Sequence, residues 1–349
     1  MRIQSFYMRG VRELAPIELD LLDPATRSVR PRTVIAGSNG TGKTTLLEVI
    51  YALLEMAKGI KPVWLRPNGV QTGIAVTDLP QSSEYPLMIE IGNSRQSDGI
   101  AYLSGRRTSS SGVEPTGPNI TRLGMLAGQM PAMLERAAAG ELSFPNCLYF
   151  PAEERELRAK RVGQVIAEPD RYQWTYRFSD SQKWEGSLES YLVAMNYRDL
   201  MAQRESPGEG EGEFTRFVGV INRFLEGKRI VGVDPQTFRV QIETNGHLAK
   251  ATGSGQHGIE ALSSGEKQIV LMLGEIQRRI RRGSVLLMDE PEIHLHPRWQ
   301  RLLIRALSDL CSQHDAQMIV TTHSEEIANA FYEHERILLD AVFASEVHP

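Results

Sequence analysis

The nine residues Gly37-Ser38-Asn39-Gly40-Thr41-Gly42-Lys43-Thr44-Thr45 constrain this chain more than any other stretch. Gly37, Gly42, Lys43 and Thr44 occupy the four fixed places of the pattern G-x-x-x-x-G-K-[ST]. Thr33-Val34-Ile35-Ala36 before it reads as a short buried strand. After it, Leu46, Leu47, Ile50, Leu53 and Leu54 recur at helical spacing, and Gly59 marks a helix stop. Strand, glycine loop and helix are the context in which such a loop wraps a phosphate. Glycine frees the backbone to curl, and exposed N–H groups at a helix start supply positive potential. Lys43 is placed to reach terminal phosphates, and the Thr44 hydroxyl suits Mg2+. The stretch therefore predicts an ATP site contacted by Asn39, Gly40, Thr41, Gly42, Lys43, Thr44 and Thr45, with Thr44 as a metal ligand.

A second half of such a site lies far downstream. Ser284-Val285-Leu286-Leu287-Met288-Asp289-Glu290 is an apolar strand that ends in two carboxylates. A buried parallel strand delivering Asp at its C-terminal end is a way to hold Mg2+. Asp289 is the predicted metal ligand, and Glu290 is the predicted general base for an attacking water. Between the two halves, Leu262-Ser263-Ser264-Gly265-Glu266-Lys267-Gln268 precedes an amphipathic run from Ile269 to Ile280. Serine at a helix start can cap it and aim its positive end outward, as a second anion site. Ser263 and Glu266 also have the spacing of a capping box, a purely structural reading.

Composition narrows the classes further. The chain has 349 residues and a formal net charge of −4, so no overall basic signature points to nucleic acid. Its two cysteines, Cys147 and Cys311, are far apart, which suits a reducing cytosol and argues against a disulfide framework. The sequence lacks an apolar run of membrane-spanning length and a signal-peptide core, so the expected location is cytoplasmic. Alternating residues in Ile3–Met8 and Ile17–Leu21 suggest an antiparallel strand pair. Gly73–Val76, Leu87–Ile91, Ile100–Leu103 and Asn146–Phe150 read as further strands, Arg106–Asn119 as a loop, and Ala127–Ala139 as a helix.

The stretch Asp170–Asn196 is rich in Tyr, Trp and Arg, and Glu156–Arg161 carries basic residues. Aromatics with arginines can stack nucleobases. The interleaved acids Asp170, Asp180, Glu185 and Glu189 favour a small helical insertion whose rings pack internally. Glu205–Glu213 reads as a linker, Phe217–Leu225 as a helix, and Val231–Val233 and Phe238–Ile242 as strands with Asn245-Gly246 as a hairpin turn.

Taken together, the motifs resemble those of ABC-type ATPases. Leu262-Ser263-Ser264-Gly265-Glu266 is similar to their signature motif in its Ser-Gly-Glu variant. Asp289-Glu290-Pro291-Glu292-Ile293-His294-Leu295-His296-Pro297 resembles the Walker B and D-loop run of the RecF/SMC-like branch, which includes the ATPase parts of OLD-family proteins. Ile319-Val320-Thr321-Thr322-His323-Ser324 looks like their final core strand and switch histidine. The run after Asp-Glu-Pro is unlike that of transporter subunits. The resemblance covers residues 1 to about 105 and 255 to 340.

This resemblance implies an α/β fold of the P-loop NTPase type: an ABC-type ATPase head with an antiparallel β subdomain and a mainly helical insertion. The implied division is residues 1–150 for a lobe with the phosphate loop, 151–250 for the insertion, and 251–349 for a lobe with signature, acidic strand and switch histidine. It also implies ATP and Mg2+ as cofactors, His323 as a catalytic residue beside Lys43 and Glu290, and nucleotide contacts from Ser263, Ser264, Gly265 and Glu266. In that arrangement Ser264 and Gly265 meet the phosphate held by Lys43 of a second copy, so the expected assembly is an ATP-sandwich homodimer or higher oligomer. A separately encoded effector, a nuclease or toxin, is the expected partner in anti-phage defence or DNA maintenance. Two competing readings are a clamp that binds duplex DNA directly in repair and a scaffold that sequesters a toxin until triggered. ABC ATPases also place a glutamine after a core strand. Pro151–Arg155 has none, leaving Glu153 or Glu154 in that place. His294 and His296 lack a third ligand at suitable spacing and read as D-loop structure.

Overall fold

A computed structural model describes residues 1–56, 64–65, 70–78, 87–91, 101–108, 112–116, 132–133, 135–137, 139–152, 172–178, 187–205, 211–244, 256–293 and 295–340. β1 (Arg2–Arg9) and β2 (Ile17–Asp20) pair antiparallel with Met8 opposite Ile17, the pair their alternation predicts. Phe6, Met8, Ile17 and Leu19 face inward. β3 (Arg32–Ala36) then enters the glycine loop, which opens α1 (Lys43–Met56).

β4 (Gln71–Thr77) returns beside β1, and β5 (Leu87–Ile91), β6 (Ala101–Thr108) and β7 (Gly112–Thr116) extend this sheet to the order β2-β1-β4-β5-β6-β7. Only the β5–β6 pair is parallel. Here the loop expected over Arg106–Asn119 is corrected, because β6 runs on to Thr108 and β7 pairs back with Thr116 opposite Ser104. Polar composition does not bar pairing at a sheet edge, and Pro115 sits in the outermost strand, the place in a sheet where proline is tolerated. Within the helix expected over Ala127–Ala139, residues 132–133 and 135–137 are helical, while 127–131, 134 and 138 lie outside the described residues.

β8 (Cys147–Phe150) and β9 (Thr175–Arg177) join a second, parallel sheet. The segment that follows supplies α2 (Ser187–Glu205), α3 (Glu213–Ile221) and a three-stranded antiparallel sheet of β10 (Lys228–Val233), β11 (Val240–Thr244) and β12 (Gln256–His257). Between β10 and β11, Asp234 Oδ1 accepts from the backbone N–H groups of Gln236 and Thr237 at 2.7 and 2.9 Å, which makes the turn. The Asn245-Gly246 turn and the basic run at 156–161 lie outside the described residues. Tyr172, Trp174, Tyr176 and Phe178 are buried, and Phe178 stacks on Phe150 at 3.9 Å. These rings are covered by protein and unavailable to stack bases.

α4 (Ser264–Arg279), β13 (Val285–Asp289), α5 (Pro297–Gln313), β14 (Gln317–Thr322), α6 (Glu325–Ala328) and β15 (Arg336–Leu338) complete the chain. The parallel sheet has the order β15-β3-β14-β13-β8-β9, every neighbouring pair parallel. Its two faces feed two cores, as strand alternation requires. Ile35, Tyr149, Leu287 and Ile319 pack with α1, whereas Val34, Leu148, Met288 and Val320 pack with residues of α4 and α5. β14 lies between β3 and β13, with Thr322 opposite Ala36 and Thr321 opposite Asp289. The C-terminal ends of three strands therefore stand side by side at one sheet edge, where open α/β sheets bind ligands. Among the described residues, no helix is long and apolar enough to cross a membrane.

Candidate functional site

The phosphate loop is shaped by positive φ at two glycines. Gly40 and Gly42 adopt φ of +86° and +88°. The conformation calls for glycine at Gly42, where an added Cβ would also stand 2.7 Å from Leu14 Cδ1 and have to push that side-chain tip aside. Lys43 is only 4% exposed and folds back over the loop. Its Nζ donates to the carbonyl oxygens of Gly37 at 2.8 Å and Ser38 at 2.9 Å, and Thr41 Oγ1 donates to Ser38 O at 2.9 Å. An ammonium held on neutral carbonyls can exchange them for an anion at little cost, because charge-assisted bonds are the stronger kind. Thr44 and Thr45 follow on the first turn of α1, whose leading N–H groups have no acceptor within the helix.

Two supports of this loop were not singled out from the sequence. Asp340, just beyond β15, accepts from Ser38 N at 3.0 Å and Ser38 Oγ at 2.7 Å. Arg12 donates to Thr45 Oγ1 at 3.2 Å, pairs with Glu48 at 2.7 Å and lies over the Trp64 ring at 4.9 Å. Neither carries a local sequence signal, since each acts across a long sequence separation.

The acidic strand end lies two strands away. Asp289 is fully buried, and its Oδ1 accepts from Thr321 Oγ1 at 2.5 Å. Glu290 follows at φ +45°, a conformation that costs a non-glycine residue roughly 1–2 kcal/mol. Its N–H donates to Thr321 O at 2.9 Å, which fixes the turn. The carboxylate then stands between two cations or potential cations, with Oε1 3.8 Å from Lys43 Nζ and Oε2 3.4 Å from His323 Nδ1. Lys43, Glu290 and His323 are thus brought together, as the motif order predicts.

Thr44 and Asp289 offer hard oxygen donors, the kind Mg2+ takes. Among the described residues, no three His, Cys, Asp or Glu form a metal cage.

The Ser263–Glu266 stretch forms a complete capping box. Ser263 Oγ accepts from Glu266 N at 3.3 Å, and Glu266 Oε2 accepts from Ser263 N at 2.7 Å. Glu266 also accepts from Lys228 Nζ at 2.8 Å and is buried. Burial raises its pKa, but the bonds from Lys228 and Ser263 outweigh it and leave the carboxyl below its ordinary range. The Glu266 side chain therefore faces inward, whereas Ser263 and Ser264 are exposed. Gly265 packs against Trp299, whose Cζ3 would lie 3.2 Å from an added Cβ. α4 packs on the face of the parallel sheet opposite α1. The signature stretch and the phosphate loop are consequently set on different faces of one chain.

The run after Glu290 clasps the switch loop. Glu292 is buried and accepts from Thr322 Oγ1, from His323 N at 3.1 Å and from Ser324 N at 3.3 Å. Sequence reasoning passed over Glu292. The signal available was an acid three residues after Asp289, directly behind Pro291. His296 caps α5, its Nδ1 accepting from Arg298 N at 3.3 Å, while His294, Glu153 and Glu154 lie outside the described residues.

A glycine loop, an acidic strand set apart from it by the strand that leads to His323, and a serine-capped helix on the far face give this chain a P-loop NTPase fold that resembles the ABC-type head its motifs imply. Residues 225–329 match the family described as "AAA domain, putative AbiEii toxin, Type IV TA system". The chain is 22% identical to "Retron Vc95 probable ATPase" of Vibrio cholerae, over 86% of this chain and 67% of that protein. It is 31% identical to "Septu protein PtuA" of Bacillus thuringiensis over 32% of this chain, which spans 29% of that protein. Among solved structures, an SMC head bound to the C-terminal winged-helix domain of ScpA aligns over 95% of this chain and 92% of its own, at 15% identity and a TM-score of 0.44.

Proposed function

We propose that this protein binds and hydrolyses ATP as a switch that works through a nucleotide-sandwich dimer. The observation that carries the reading is the convergence of Lys43, Glu290 and His323 within 3.4–3.8 Å at the sheet edge that also bears Asp289. In the reaction, water attacks the γ-phosphorus and the bond to the β,γ-bridging oxygen breaks. Glu290 takes the proton of that water, and Lys43 leaves the Gly37 and Ser38 carbonyls to bear on the phosphates. Thr44 and Asp289 would hold a Mg2+ ion, whose chemistry there would be to neutralise phosphate charge. His323 stands on the other side of Glu290, where its ring can hold or release that carboxylate.

The placement of the serine cap supports the dimer. Ser263 and Ser264 are exposed at a helix start on the sheet face opposite α1, so a second copy is the partner whose phosphate they can meet. Closing two copies over two nucleotides excludes water, which strengthens each charge contact, and loss of the γ-phosphate releases the pair. ATP state is thereby converted into assembly state.

The biological reading is an anti-phage or DNA-maintenance switch acting in the cytoplasm with a separately encoded effector. The likeness to a retron ATPase and to a family described by a toxin–antitoxin system supports it. The test is steady-state ATP turnover with and without linear duplex DNA at two salt concentrations. Turnover indifferent to DNA supports control by a protein partner. Strong stimulation that falls steeply with salt would overturn that in favour of direct DNA binding. Absence of any turnover would remove the enzymatic reading.

A further inference from the structure

His323 is tied more firmly to the run after Glu290 than to its own strand. The buried carboxylate of Glu292 gathers three donors on Oε1, namely Thr322 Oγ1 and the backbone N–H groups of His323 and Ser324. A second clasp lies beside it. Ser324 Oγ donates to Gln300 Oε1 at 2.7 Å, and Gln300 Nε2 donates to Leu295 O at 3.1 Å. The D-loop run and the switch loop are therefore tied together by side chains of both.

The imidazole stands midway between two carboxylates. His323 Nδ1 is 3.4 Å from Glu290 Oε2 and 3.5 Å from Glu292 Oε1. An Nδ1–H can donate to one of them at a time. Glu292 Oε2 is buried and has no hydrogen-bond partner among the described residues. Leaving a buried carboxylate oxygen without a donor is costly, so Glu292 keeps acceptor capacity to spare in the same carboxylate whose Oε1 the imidazole faces.

We propose that Glu292 is a positioning residue that competes with Glu290 for the His323 Nδ1–H. When the imidazole donates to Glu290, that carboxylate is engaged and poorly placed to take a water proton. When it swings to Glu292, Glu290 is freed. Because Glu292 belongs to the D-loop run, whatever docks on that run sets which carboxylate holds the histidine. The inference rests on the ATPase reading for its consequence in turnover, but the histidine's placement can be tested without it.

The experiment uses Glu292→Gln and His323→Ala, singly and together, in the full chain. ATP turnover, affinity for a fluorescent ATP analogue and thermal unfolding are measured. The His323 ring-nitrogen NMR signals of nucleotide-free wild type and Glu292→Gln are compared. The amide keeps an oxygen for the three donors but removes the charge. Expected are a fall in kcat of about tenfold or more with KM within about twofold, and a clear shift of the His323 Nδ1 signal. Added to His323→Ala, Glu292→Gln should change turnover by less than about twofold, since coupled residues are not additive. Additive losses, or an unmoved His323 signal, would overturn the proposal. If wild type shows no turnover but the His323 signal shifts, the ATPase reading fails while the positioning survives. Should Glu292→Gln not fold, Glu292→Asp carries the same tests, because it keeps the charge but draws it back by one methylene.

Discussion

The glycine loop at Gly37–Thr44 and the serine cap at Ser263–Ser264 both open helices, but they are built in opposite senses. The first is closed inward: Lys43 is buried on its own loop's carbonyls, and Asp340, just beyond β15 and over 300 residues away in the sequence, straps Ser38. The second satisfies itself through its capping box and turns its serines to solvent. In the proposed reading, one end encloses a ligand within the chain and the other presents its serines to a second copy. A chain with both offers two unlike halves, and the simplest complement to each is the other half on a second copy.

Breaking the inward half should have the largest effect. Lys43→Ala removes the only loop cation, and ATP affinity measured by calorimetry should fall by about a hundredfold or more, the loss of one or two charged hydrogen bonds. Glu290→Gln leaves that half intact and removes the base. Turnover should fall by roughly 10²–10⁴-fold while ATP is retained, and gel filtration with ATP should show an accumulated dimer. Ser264→Arg attacks only the outward half. ATP binding by the isolated chain should stay within about twofold, whereas turnover and the ATP-dependent dimer are lost.

The smallest effects concern the cap itself. Ser263→Ala should cost about 1 kcal/mol in denaturant unfolding, the usual worth of an N-cap. Glu266 titrates below its ordinary value, so its stabilisation is present above that value and is lost as pH falls through the lowered folded pKa. The wild type should therefore lose stability faster than Glu266→Gln as pH drops below 4.5.

What the sequence made legible follows the range of the interactions involved. The strand–loop–helix at Thr33–Leu54, the apolar strand ending at Asp289 and the Ser263 cap are local patterns, and each appears where its spacing predicts. The burial of Trp174 and its neighbouring rings was also favoured by the acids interleaved among them. β7 was read as loop because its edge position tolerates Gly, Glu and Pro, residues that pattern reading assigns to turns. β9 is three residues long, and its place is set by register against β8, which no local pattern encodes. In the site, Lys43, Asp289 and Glu290 declare themselves by motif. Glu292, Asp340 and Arg12 act through partners distant in sequence, and only the folded chain reveals them.

The central claim is that one copy's Lys43 works with the other copy's Ser264. It is tested most directly by mixing two dead variants, Lys43→Ala and Ser264→Arg. A mixed pair has one composite site with an intact Lys43 facing an intact Ser264. The account predicts that neither variant alone turns over ATP and that the equimolar mixture regains about a quarter of wild-type turnover, because half of the pairs are mixed and each has one working site of two. A mixture as inactive as its components, with both variants folded and mixed pairs demonstrated, would contradict the nucleotide-sandwich account.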